Sequence, residues 1–577
     1  MFRLLPYLKN YKKESIIGPL FKLLEVCFEL IVPLITANII DVGIRRGDLG
    51  YILARGGILV FMGVLGLTCS LTAQYFAAKA SVGFGTEVRH DLFAHIQRLS
   101  YAEVDKIGSA TLVTRMTSDI NQAQSGVNLV LRLFLRSPFV VVGAVVMSFT
   151  ISVRLSVIFL VAVPVLALII YGIMVITIPL YRKVQKWVDQ VLLSTRENLA
   201  GIRVVRAFCT QKKEQEEFEE KCSGLFGEQI HVGKISACMN PMTYVVVNAA
   251  TIAIVWYGGF QVDAGAVTQG EIIALVNYMS QILLALVALA NLIVSFTKAM
   301  ASGDRIMEVF DLKPGIISGE GRKREDQTYA VEMENVQFSY TKDAVPALSD
   351  IHLKIRQGET VGIIGGTGSG KSTLVQLIGR FYDADRGRVK VFGTDVKDYD
   401  LQELRSKIGM VPQRAVLFHG TIRENLKVGK ENASEKEMYE ALKTAQALEV
   451  AESKEDGLDA MISEGGKNLS GGQRQRLTIA RALVRKPQIL ILDDSASALD
   501  FATDARLRRA LKEDTENMTV FLVSQRVSSL MHADRILVLE DGEPAGMGTH
   551  EELLKTCQVY REICRSQLSE KEVQANG

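Results

Sequence analysis

Apolar residues crowd the first 300 positions in six runs, at about 15–42, 56–80, 134–152, 155–180, 242–263 and 272–297. Each approaches the roughly 20 apolar residues that carry a helix across a bilayer core, so the pattern predicts six membrane helices. The connections alternate in character. Those at 43–55, 150–155 and 263–271 are brief, whereas 81–130 and 181–240 are long, polar and helical in pattern. The long ones carry Arg89, Arg98, Lys106 and Arg115, then Arg182, Lys183, Lys186, Arg203, Arg206, Lys212 and Lys213. Positive charge of this kind stays in the cytoplasm, which puts both termini inside as well. Arg45 and Arg46 fall in a loop assigned to the outside and run against the rule. The first run continues past Pro33 to Ile44, too far for a cleavable signal peptide.

Beyond residue 310 the pattern changes. Gly315, Gly319, Gly321 and the charged run Arg322–Asp326 read as a linker over 311–327, separating a membrane domain (1–310) from a soluble α/β domain (328–577). Short β-type runs at 331–340, 351–355 and 360–364 open the second domain. Hydrophobic residues make up 48% of the chain, too unevenly spread for one soluble core, and a net charge of +2 gives no electrostatic case for a nucleic-acid partner. The seven cysteines have no C-x-x-C spacing and read as free thiols.

Polar residues inside the apolar runs are candidates for a substrate path. Lys22, Glu25 and Glu29 share one face of the first helix, and Glu29 lies about 20 Å along it from Ser15. Charge at that depth faces water or a partner, not lipid. Packing by a Lys22–Glu25 pair is the alternative. Asn277, Gln281 and Asn291 in the last run either line a cavity or bond between helices. Arg132 and Arg136 are expected to snorkel.

Chemistry concentrates in the second domain. The strand Thr360–Ile364 feeds Gly365, Gly366, Thr367, Gly368, Ser369, Gly370, Lys371, Ser372 and Thr373, a complete G-x-x-x-x-G-K-S before a helical run. Glycines there let backbone N–H groups wrap a phosphate chain, Lys371 reaches the β and γ phosphates, and Ser372 ligates Mg²⁺. The apolar strand Ile489–Asp493 delivers Asp493 toward the same cation. ATP and Mg²⁺ are thus the expected ligands.

The string Leu469-Ser470-Gly471-Gly472-Gln473, followed by a helical run to Val484, resembles the signature motif of the ATP-binding cassette (ABC) family. The resemblance covers essentially the whole chain and looks like a half-transporter of the exporter type. It implies a six-helix, all-α membrane domain with long cytoplasmic extensions, and an α/β P-loop NTPase cassette with a helical subdomain. It also assigns Tyr340 to stacking on adenine, Gln413 to the Q-loop that touches Mg²⁺, and Ser497–Asp500 to the D-loop. The stretch Glu197–Ala207 is similar to the family's second intracellular loop, and Ala299–Phe310 to its link into the cassette.

Two positions depart from the family. Its active cassettes carry Glu after the strand aspartate and His further on, whereas this chain has Asp494 and Gln525. Asp494 is one methylene shorter, about 1.5 Å, and a base misplaced by about 1 Å loses roughly a hundredfold in rate. Gln525 donates a hydrogen bond but carries no exchangeable charge. In the family two cassettes pair head to tail, so Ser470, Gly471, Gly472 and Gln473 would complete a partner's site. The resemblance then implies a plasma-membrane exporter subunit for hydrophobic or amphipathic substrates, paired with an unlike half-transporter, surrounded by lipid and binding no nucleic acid. A homodimeric exporter with slow ATPase and an ATP-gated regulator or channel are the alternatives.

Overall fold

The computed structural model describes residues 2–321, 328–341, 344–495, 498–514 and 517–567. The charged linker run Arg322–Asp326 and the D-loop residue Ser497 lie outside the described residues. The chain separates into two compact units, Met1–Gln97 with Gly108–Leu312, and Arg98–Ile107 with Lys313–Gly577. The short helix Tyr101–Ile107, at the tip of the first long polar connection, therefore belongs to the second unit.

The first unit is helical and, among the described residues, holds six helices long and apolar enough to cross a membrane. Their main segments are α1 (Lys12–Asn38), α2 (Leu49–Ile96), α3 (Arg136–Ile151), α4 (Val153–Ala200), α5 (Met239–Asp263) and α6 (Gln269–Phe310). At 48 residues each, α2 and α4 are about 72 Å long, more than twice the hydrocarbon thickness, so much of each extends beyond the bilayer. The polar periodicity of 81–130 and 181–240 falls partly on the ends of α2 and α4 and partly on the separate helices that follow each of them.

Local chemistry sets the helix ends. Asp48 accepts the Tyr51 N–H at the start of α2, and Thr268 with Glu271 forms a capping box at the start of α6. One extended residue, Ser152, breaks α3 from α4. A π-helical turn, Ile39–Ile44, ends α1 and turns Asp41 onto α6, where it accepts from Gly270 N (2.8 Å) and Thr268 Oγ1 (2.6 Å). Gly270 has to be glycine, because a Cβ there would stand 2.4 Å from the Ala37 carbonyl oxygen.

Small residues let the membrane helices close up. Ala73, Ala77 and Ala80 are buried on α2, and the core of the unit gathers Phe159, Ile254, Leu275 and Tyr278. Towards the cytoplasmic end, buried Asp119 accepts from Arg115 on its own helix and from Arg305 on α6.

Among the described residues the second unit holds two larger sheets, a two-stranded pair and a helical subdomain. Strands β1 (Tyr329–Phe338), β2 (Leu348–Arg356), β3 (Thr360–Gly365), β4 (Arg386–Val391), β5 (Thr394–Asp395) and β6 (Ile408–Val411) come first. After the small pair β7 (Gly420–Thr421) and β8 (Met461–Ile462) come β9 (Ile489–Asp493), β10 (Thr519–Val523), β11 (Arg535–Glu540) and β12 (Glu543–Gly548). The central sheet runs β12-β11-β3-β10-β9-β6, parallel except for β12, and β2-β1-β4-β5 form an antiparallel sheet. All five residues of β9 are buried, as an interior parallel strand requires.

Candidate functional site: a nucleotide site at the carboxyl ends of the parallel strands

Ligands of open α/β sheets sit beyond the carboxyl ends of the strands, and register brings the chemistry there. Val523 of β10 lies beside Asp493 of β9 and Ile363 of β3. The turn after β3, the acidic pair after β9 and Ser524–Gln525 after β10 therefore emerge side by side.

The phosphate loop leads into α7 (Lys371–Ile378). Gly370 holds φ +88° with the Ala347 carbonyl 2.6 Å from where a Cβ would stand, a position that admits only glycine. Gly366, Thr367 and Gly368 are exposed at the tip of the turn, and Ser369 is buried. Lys371 is buried and donates to the carbonyls of Gly365 (3.0 Å) and Gly366 (2.6 Å). Burial pulls its pKa down, against the opposing pull of Asp494 and Asp493.

Ser372 Oγ donates to Asp493 Oδ1 at 2.9 Å. Burial raises the Asp493 pKa, opposed by the Ser372 hydrogen bond. Asp494 is also raised by burial, and Gln413 Nε2 donates to it at 3.4 Å. Its backbone sits at φ +44°, a region that short Asp tolerates better than longer residues. The oxygen donors of Ser372, Asp493 and Gln413 suit a hard cation such as Mg²⁺, and a buried carboxylate beside Lys371 suits a site that takes a cation together with phosphate.

Tyr340 lies just past β1, half exposed, with its hydroxyl 2.9 Å from Thr373 Oγ1 and its ring edge-on to Phe338 and Tyr382. Gln525 is exposed, and its carbonyl accepts from Gln567 Nε2 at 2.7 Å. The signature string opens α8 (Gly471–Leu483), where Ser470 and Gln473 form a reciprocal capping box that leaves the Gly471 and Gly472 backbone at the helix start.

The aromatic contacts around Tyr101 were not legible in sequence. Tyr101 stacks on Phe381 (4.8 Å, 11°), and Tyr382 donates to Asp105 at 2.6 Å. The adjacent aromatics Phe381-Tyr382, just past α7, were the available signal. Tyr101 and Asp105 share a helix face at i, i+4.

In the membrane unit several polar residues find partners, with the Lys22–Glu25 pair among the alternatives the sequence offered. Glu25 is held by Lys22 at 2.5 Å, and Lys22 also reaches Ser70 on α2. Arg136, at the start of α3, pairs with Glu29 of α1 at 2.9 Å. Asn277 and Asn291 are exposed, and the Gln281 Oε1 is buried with no hydrogen-bond partner.

A parallel sheet with a phosphate loop, an acid-ended strand and a signature helix is that of an ATPase cassette, here joined to a six-helix membrane unit. Residues 15–286 match the ABC transporter transmembrane region and 348–497 the ABC transporter family. The chain is 37% identical over 98% of both lengths to an uncharacterised ABC transporter ATP-binding protein, YfiB, of Bacillus subtilis (strain 168). It is 34% identical to an ATP-dependent lipid A-core flippase of Desulfotalea psychrophila (strain LSv54 / DSM 12343), over 81% of this chain and 82% of that one. Its fold matches a bacterial Atm1-family ABC exporter with ATP bound at a TM-score of 0.79 and 22% identity, covering 97% and 99% of the two chains. The chain belongs to the ABC transporter family. It is an ATP-driven exporter half-transporter of the membrane, with a cytoplasmic nucleotide-binding cassette.

Proposed function

We propose that this chain is one half of a heterodimeric exporter of hydrophobic or amphipathic substrates, holding ATP at its own site while its signature completes the partner's hydrolytic site. The observation that carries this reading is the contrast between two parts of one cassette. The Ser470–Gln473 capping box is intact, whereas the acid at the base position is Asp494 and the residue beyond β10 is an exposed Gln525.

Bound ATP with Mg²⁺ supplies the free energy of phosphoryl transfer. In this reading Lys371 leaves the Gly365 and Gly366 carbonyls for the phosphates, Ser372, Asp493 and Gln413 hold the cation, and Tyr340 stacks on the base. Asp494 then orients water poorly, being about 1.5 Å short of a glutamate's reach. Binding therefore outlasts turnover at this site. Closure of the paired cassettes shifts the balance between inward-open and outward-open states through the extensions near 101–112 and 203–213. Membrane domain 1–310, linker 311–327 and cassette 328–577 are the working division of the chain.

The test is ATPase activity of the assembled complex after Asp494→Asn. Turnover within about twofold of the parent is expected, against the loss of 10²-fold or more that removal of an essential base brings. A collapse would sink the impaired-site reading. Activity of the singly expressed chain as a homodimer would point to the homodimeric exporter, and ATP binding without ATP-driven vesicle uptake to a regulator or channel.

A further inference from the structure

Past the end of β10 the central sheet no longer fixes the chain. Ser524 N–H still donates to the Ile363 carbonyl of β3 at 3.1 Å, and Asp494 N–H to the Val523 carbonyl of β10 at 3.0 Å, so the strands deliver these residues side by side. Gln525 is the first residue beyond those bonds. It leads through Arg526 into the single turn α9 (Val527–Leu530), whose N-cap residue Arg526 makes no side-chain cap. A helix start of that kind leaves its first N–H groups in need of an acceptor from elsewhere.

The acceptor comes from two helices that follow β12, α10 (His550–Thr556) and α11 (Gln558–Gln567). Gln567, in the last turn of α11, reaches back to the segment. Its Oε1 accepts from Val527 N at 2.9 Å, and its Nε2 donates to the Gln525 carbonyl at 2.7 Å. One carboxamide thus brackets three residues, with partners 40 and 42 positions away in sequence. Its support is rigid. Tyr560 and Cys564 of α11 are fully buried in one apolar cluster with Val527 and Leu530 of α9, and the Tyr560 hydroxyl lies 2.7 Å from His550 Nδ1. On the other side Arg526 donates to the Leu499 carbonyl at 3.4 Å and lies 5.2 Å from the centre of the Phe501 ring. Gln567 is itself exposed, so hydrogen bonding and not burial sets its place.

We infer that Gln567 is a positioning residue for the nucleotide site: its carboxamide fixes the backbone of Gln525, so that the Gln525 side chain meets the terminal phosphate of bound ATP. The inference rests on the reading of an ATP-holding site above and adds to it a determinant from outside the strand ends. In that reading Lys371 takes the β and γ phosphates at the carboxyl end of β3, and the cation sits at Asp493 of β9. Strand β10 runs between those two, so Gln525 emerges between phosphate and cation. A carboxamide N–H donor there distinguishes ATP from ADP, which has no phosphate at that place. Ordering a free loop residue on binding costs much of the affinity its hydrogen bond would add. The two bonds from Gln567 do that ordering before the nucleotide arrives.

The experiment uses the full chain, with whatever half-transporter co-purifies, in nanodiscs with Mg²⁺. Release of a fluorescent non-hydrolysable ATP analogue, and of the matching ADP analogue, is followed after a chase of unlabelled nucleotide. The release phase that Lys371→Ala abolishes reports this chain's own site. Gln567→Met keeps side-chain length and helix propensity and removes both hydrogen bonds. It is expected to speed release of the ATP analogue from that site about five- to tenfold, and release of the ADP analogue less than about twofold. In a Gln525→Ala background the same substitution should change ATP-analogue release less than about twofold, because the side chain it positions is gone. Gln567→Glu keeps the acceptor for Val527 and loses the donor to Gln525; it carries the same expectation and stands in if the methionine variant does not fold. Equal acceleration of the two analogues, no acceleration, or effects of Gln567→Met and Gln525→Ala that multiply in the double variant would each overturn the inference and leave Gln567 a cap of α9. A complex in which no release phase depends on Lys371 defeats the ATP-holding reading, and this inference with it.

Discussion

Ser372 Oγ donates to Asp493 Oδ1 at 2.9 Å, joining the first turn of α7 to the carboxyl end of β9. The bond spans 121 residues of sequence and holds two oxygen ligands of the expected cation side by side. Ser372→Ala removes one ligand and leaves the buried Asp493 without its hydroxyl donor. Mg²⁺-dependent binding of a fluorescent ATP analogue is expected to weaken about tenfold, with binding in EDTA changed much less.

Burial raises the Asp494 pKa, which fixes the sign of its effect on stability. A carboxyl with a raised folded-state pKa binds its proton more tightly folded than unfolded. Its penalty is absent below the ordinary carboxylate range and grows as pH rises through the elevated pKa. Asp494→Asn should therefore raise the melting temperature of the complex at pH 7.5 by about 1–3 °C, and the gain should shrink toward pH 4. Thermal unfolding across that pH range checks it, and a gain that grows on acidification would contradict the assignment.

Asp119 is 4% exposed at its side chain and depends on Arg305 and Arg115 for compensation. Arg305→Ala leaves a buried carboxylate short of its inter-helix partner but still paired with Arg115, at a cost of about 1–3 kcal/mol. Arg305→Ala should lower the melting temperature in detergent by several degrees, and the double variant with Asp119→Asn should recover a substantial part. Failure of the second substitution to help would show that the arginine acts through packing.

Tyr101 and Phe381 stack at 4.8 Å within the cassette unit, and Arg405 lies 5.0 Å from the centre of the Phe381 ring. A double-mutant cycle of Tyr101→Ala and Phe381→Ala is expected to yield a coupling of about 0.5–1.5 kcal/mol in denaturant titrations. Additive effects would mean that the stack contributes nothing beyond burial.

Much of this protein was legible before its fold was known, for stated physical reasons. A span of about 20 apolar residues has few options but to cross a bilayer, and a glycine-rich turn between strand and helix has few uses besides cradling phosphate. The strand Ile489–Asp493 has the bounds its apolar run suggests. Less accessible were partners distant in sequence. The pairing of Arg136 with Glu29 was not legible because the two are 107 positions apart, and Gln413 looked like a polar loop residue outside the resemblance, with Asp494 81 positions away.

By itself the sequence determined what is local or periodic: six apolar spans, the phosphate loop, the signature string, and the substitution of Asp494 and Gln525 at two informative positions. These depend on hydrophobic period and short-range backbone chemistry, which neighbouring residues write directly into the chain. Only the tertiary structure decided which charges compensate one another. Register across β3, β10 and β9 sets Asp493 against Ser372, and the antiparallel passage of α1 beside α6 puts Leu30 beside Tyr278. Buried charge takes whichever partner the fold brings within hydrogen-bond reach, and that distance is a property of the packed chain, not of the order of its residues.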